Sequence, residues 1–159
     1  MGFRITQKTD LEIVFEMQRY EDMPNISYEI LDYFPPDEKR QRTSIVVKSE
    51  EGYTFYCRSS SSEMLDKIIF QSQAQRQKVT EYYNKCISEG HKVTFFCGNE
   101  IRAEDYHHFK QTCSQFEPYS DDEMSAVNWF EEKLFYFIGL TVCGLLSLNK
   151  ETEEAFKSL

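Results

Sequence analysis

Polar and apolar positions alternate with a period of two over ISYEILDYF (26–34), where Ile26, Tyr28, Ile30 and Tyr33 mark one strand. The polar stretch PPDEKRQR follows and reads as a solvated turn. TSIVVKSEEGYTFYCRS then sets two β-branched or aromatic runs around Ser49–Gly52, the pattern of a hairpin whose glycine takes a positive φ. These segments predict a three-stranded antiparallel meander. HKVTFFCGN (91–99) adds one further strand closing against it.

Helical spacing governs the remaining segments. Three Ser/Thr-x-x-Glu signatures, Thr9 with Glu12, Ser60 with Glu63 and Ser120 with Glu123, each precede an apolar periodic run. The first predicts a helix from about Asp10 to Asp22, with Leu11, Val14, Phe15 and Met17 inward, ending before Pro24. The second predicts a helix over about Ser61–Glu89, polar in its middle at QSQAQRQK and closed by Gly90. Residues 103–116 place Tyr106, Phe109, Cys113 and Phe116 at helical spacing, with a fifth strand as the alternative.

The third signature leads into the most apolar part of the chain. Leu134 to Leu148 holds fifteen residues without a formal charge, between Lys133 and Lys150. As a helix it rises about 22 Å, short of a hydrocarbon core of about 30 Å. Extending it towards its N-terminus would bring Glu131, Glu132 and Lys133 into the bilayer. The expectation is therefore a helix without a membrane span. Such a helix is apolar all round and needs burial all round. The first helix and the 103–116 helix could enclose it. The alternative is a second chain docking on Leu134, Phe137, Ile138, Leu140 and Leu145, with Gly139, Cys143 and Gly144 admitting a close backbone.

Composition narrows the class. At 159 residues, with 40% hydrophobic and 15% aromatic side chains, the chain fits a single domain, 1–159, with a packed core. The formal net charge is −9, and residues 117–159 carry nine acids against three bases. A phosphate backbone repels such a chain, so no nucleic-acid partner is expected. A basic protein partner is steered in.

Candidate chemistry is sparse. Five widely spaced cysteines, mostly in apolar surroundings, suggest buried free thiols in a reducing compartment, hence a cytoplasmic protein. Cys97 beside Gly98 is the one nucleophile candidate, with His91, His107 or His108 as base and Asp105 or Asn99 to orient it. The contrary reading buries Cys97 as a small hydrophobe. No C-x-x-C or H-E-x-x-H spacing and no glycine-rich phosphate loop occurs, so neither metal nor cofactor is expected.

The predicted order is α-β-β-β-α-β-α-α: an α+β fold with a three-to-five-stranded, mostly antiparallel sheet covered on one face by helices. Its size, low pI and leading α-β-β-β-α-β order are similar to those of the small dimeric chaperones that escort bacterial secretion substrates, although that fold wants a strand at 103–116. The expected function is a small acidic, non-catalytic protein-interaction module, chaperone- or adaptor-like, with a homodimer as one of its assemblies. An acidic inhibitor neutralising a toxin or nuclease, and a cysteine-dependent enzyme using Cys97, are the alternatives.

Overall fold

The computed structural model describes residues 3–8, 12–17, 26–36, 38–118 and 120–144, with side chains from Ser27 onward. The fold is α+β. Among the described residues seven strands form one antiparallel sheet in chain order: β1 (Phe3–Lys8), β2 (Glu12–Met17), β3 (Ile26–Phe34), β4 (Arg42–Ser49), β5 (Gly52–Ser59), β6 (His91–Ile101) and β7 (Phe137–Gly144). Helices α1 (Met64–Lys67) and α2 (Gln73–Ser88) connect β5 to β6. Helices α3 (Ala103–Cys113) and α4 (Asp121–Glu132) connect β6 to β7. The meander β3–β4–β5 stands where the alternation places it, with Ser49 opposite Gly52 across a Glu50–Glu51 turn and Gly52 at φ 132°.

The ends of the chain depart from expectation. Instead of a helix over Asp10–Asp22, Glu12–Met17 is a strand hydrogen-bonded to β1 and β3. Ile13, Val14 and Phe15 favour a strand once both edges are paired, and pairing outweighs a helical spacing that four residues carry. The remainder of that predicted helix lies outside the described residues.

The apolar run is not a helix either. α4 stops at Glu132, and Phe137–Gly144 pairs with β6 from Cys97↔Phe137 to His91↔Gly144. Gly139, Gly144 and the β-branched Ile138, Thr141 and Val142 all disfavour helix. Period-two geometry also removes the need for burial on every side. Phe137, Leu140 and Val142 pack on the core, while Ile138 and Thr141 face solvent. Residues 145–148 lie outside the described residues.

The sheet therefore exceeds the three to five strands expected, and the order is β-β-β-β-β-α-α-β-α-α-β. With the leading helix gone, the topological likeness to the secretion chaperones goes too.

The long helix expected over Ser61–Glu89 is two helices. Ile69 leaves helical geometry to bond strand-like with the approach to β7, its N–H donating to Phe135 O at 2.8 Å and its carbonyl accepting from Phe137 N at 3.0 Å. α2 then starts afresh with Ser72 as N-cap. Ser72 Oγ accepts from Gln75 N, and Gln75 Oε1 accepts from Gln71 N. Ser60 caps nothing; its hydroxyl bonds to that of Thr94. The Ser120 cap forms as predicted, Oγ accepting from Glu123 N at 3.2 Å, and Gly90 closes α2 at φ 77°. Residues 103–113 are helical, and the strand alternative for 103–116 is not adopted.

The core lies between one face of the sheet and the helices. Cross-strand partners share a face, so Phe34, Ser44, Cys57, Cys97 and Phe137 form one inward row, and Arg42, Ser59, Phe95 and Leu140 the next. Tyr83 of α2 packs on Phe95, and Phe109 of α3 stacks on Phe130 of α4 at 4.1 Å. α3 is also tied to β3. Tyr106 Oη donates to Asp32 Oδ2 and Lys110 Nζ to Asp32 Oδ1, both at 2.6 Å.

PPDEKRQR is not simply a solvated turn. Arg40 and Arg42 are buried and converge on Glu131 of α4, which has no exposed surface. Arg40 Nη2 reaches Glu131 Oε1 at 2.5 Å, Arg42 Nε reaches Oε2 at 2.8 Å, and Ser44 donates to Oε1. A carboxylate this deep requires such partners. The two arginines are there to meet it.

Candidate functional site

The two faces of the sheet differ. The sheet contacts of α2, α3 and α4 fall on inward residues: Phe95, Phe34, Tyr53, and Arg42 with Ser44. On the opposite face the register aligns Tyr33, Ile45, Tyr56 and Gly98 in a single row across β3 to β6. The adjacent row is Thr43, Arg58, Phe96 and Gly139. Tyr33 is 59% exposed, Tyr56 39% and Ile138 56%. Single exposed apolar residues are ordinary on a protein surface; an aligned aromatic–aliphatic row is not.

Gly98 and a bulge build the middle of this band. The β6–β7 register shifts between Phe96 and Cys97, which makes Ile138 the extra residue of β7. A β-carbon at Gly98 would stand 2.5 Å from Phe55 O, 2.9 Å from Ile138 Cδ1 and 3.0 Å from Tyr56 Cδ1. Only glycine lets both side chains close over the backbone there. Burial, then the neighbouring Tyr28 and Glu51, raises the Tyr56 phenol above its usual pKa, so it stays a neutral hydrogen-bonding group.

Of the five residues expected to bind a partner, Leu134 is buried, and Phe137 and Leu140 are half-buried towards the core. Ile138 alone joins the exposed band; Leu145 lies outside the described residues. Sequence reading missed Tyr33, Tyr56 and Phe96. The alternation in β3 and β5 was the available signal, since the residues that do not face the helices must face the other way.

The thiol candidate sits inside. Cys97 is 1% exposed and lies opposite Cys57 on β5. Burial pushes the thiols of Cys97 and Cys57 up to about 12. A nucleophilic cysteine needs a shift in the other direction. His91 is six residues along the same strand, roughly 20 Å away at strand rise, and its Nδ1 lies 3.4 Å from Glu89 Oε2. His107 faces the Tyr53 and Tyr106 rings. Neither histidine forms a hydrogen bond with Cys97. His108, with Asp105 and Asn99, lines a cleft of about 490 Å³ between α3 and α4, floored by Phe109 and Phe130.

At that cleft Lys133 lies over the ring of Trp129, the one tryptophan in the chain and 62% exposed. Arg102 pairs there with Asp105 at 2.7 Å, which holds the Asp105 carboxyl below its usual pKa. Among the described residues no three His, Cys, Asp or Glu side chains gather as metal ligands, and no helix is long and apolar enough to cross a membrane.

No protein-family model matches the chain, and no curated protein is significantly similar to it.

Proposed function

We propose that this protein is a small acidic interaction module that takes a partner polypeptide on the face of its sheet opposite α2, α3 and α4. The observation that carries the reading is the Tyr33–Ile45–Tyr56 row, extended by Phe96 and Ile138, standing opposite the face the helices cover. Tyrosines are efficient anchors, with a broad apolar ring on two side-chain torsions and a hydroxyl at the rim. The formal charge of −9 supports a basic partner, through faster encounter rather than through pairs at the interface. A second copy of this chain is another partner, taken up below at a different surface.

The test is binding to an array of peptides graded in basic and apolar content, with wild type beside a Tyr33→Asp/Tyr56→Asp variant. Both substituted positions are exposed or half-exposed, so the variant should keep the wild-type circular dichroism spectrum. Wild type should bind basic–apolar peptides with salt-sensitive affinity, and the variant should lose at least tenfold. Equal binding by both proteins would remove the band from the account.

A further inference from the structure

The two edges of the sheet differ in what they offer. β1, FRITQK, carries Arg4 and Lys8, the charged residues that ordinarily keep an edge strand from pairing with another chain. β7, FIGLTVCG, carries no charge and no proline. It is the last strand of the sheet among the described residues, and its start is closed by Ile69, whose carbonyl accepts the Phe137 N–H. Ile138 to Gly144 remain, seven residues centred on Thr141.

We infer that this outer edge of β7 pairs antiparallel with β7 of a second copy about a two-fold axis at Thr141, joining two sheets into one. In that register Ile138 faces Gly144, Gly139 faces Cys143, and Leu140 faces Val142.

Three features select a second copy as the occupant. A two-fold axis sets a strand against itself, so a charge at the dyad would meet its own duplicate, and β7 has none to oppose. Leu140 and Val142 are half-buried at the open end of the core, and the mate supplies Val142 and Leu140 in return, continuing the core across the axis. Gly139, opposite Cys143, leaves room for its thiol. Strand addition supplies main-chain hydrogen bonds, and the alternate side chains set the register.

The Tyr33–Tyr56 row is a different surface, so either proposal can fail alone. Light scattering and hydrogen exchange on the full chain, across a hundredfold range of concentration, test this one. The expected result is twice the chain mass at high concentration, with protection rising in parallel at those 138–144 amides that point away from β6. Thr141→Lys, at an exposed position, should give a folded monomer that has lost this concentration-dependent protection; Thr141→Val should remain a dimer. A monomer with these amides protected at every concentration would show that the chain's own 145–159 segment occupies the edge. A monomer with them unprotected would show nothing occupying it. A dimer unaffected by Thr141→Lys would place the interface elsewhere. Each of these three results overturns the inference.

Discussion

Arg42 of β4 holds Glu131 of α4 at 2.8 Å, with 6% of the arginine side chain and none of the glutamate exposed. Arg40 and Ser44 complete the carboxylate's shell, and Arg42 Nη2, beside Glu131 Oε2, also donates to Asn128 Oδ1 at 2.6 Å. The guanidiniums also lie over aromatic rings, Arg42 on Phe135 at 5.2 Å and Arg40 on Phe34 at 5.7 Å. This cluster binds α4 to the first half of the sheet. It thereby fixes the helical layer to the face opposite the Tyr33–Ile45–Tyr56 row.

Glu131→Gln would strand two buried cations. Breaking a buried pair on one side costs about 3–5 kcal/mol, and urea denaturation should show a loss in that range. Glu132→Gln serves as the control, because its partner Lys67 is 40% exposed and the pair contributes at most about 1 kcal/mol.

Much of this arrangement was legible in the sequence, and the errors share a cause. Alternation located β3, β4, β5 and β6, where turns bound each run. It failed at Leu134–Leu148, because an unbroken apolar run carries no period and length alone favoured helix. There the two glycines and three β-branched residues of β7 were the better guide. Arg40 and Arg42 read as solvent-exposed because their partner lies 89 or more residues away, a separation no local pattern encodes. The break between α1 and α2 was signalled by the Ser-x-x-Gln spacing of Ser72 and Gln75, in which Ser72 caps the helix and the Gln75 side chain accepts from Gln71 N.

That cap yields its own prediction. Ser72→Ala should cost about 1 kcal/mol, the usual effect of removing an N-cap side chain. Ser60→Ala, at a position that caps nothing, should cost less than half as much; equal losses would contradict the placement of the helix start.

The thiols separate by position. Cys143 is exposed, whereas Cys57, Cys86, Cys97 and Cys113 are buried. Native protein kept at low concentration should take up one equivalent of iodoacetamide readily, at Cys143, and the other four only on unfolding. Because folding raises the Cys57 and Cys97 thiols from 9.0 to about 12, the folded state binds more protons than the unfolded state between those values. Their stabilising contribution is complete below about pH 9 and is lost as pH rises towards 12. Thermal melts across this range should fall, and Cys97→Ala should flatten the decline.

Gly98→Ala forces a methyl group to within 2.5 Å of the Phe55 carbonyl, a backbone atom that cannot turn aside. Overpacking of this kind costs about 1–3 kcal/mol. It should also displace Tyr56 and Ile138, so peptide binding should weaken along with the denaturation midpoint.

The most direct test of the account is a paired capture from lysate of the source cells, with immobilised wild type beside the Tyr33→Asp/Tyr56→Asp variant, both verified as folded. The account predicts at least one polypeptide held by wild type, released by salt and absent from the variant eluate. Identical sets of captured proteins from the two would contradict it.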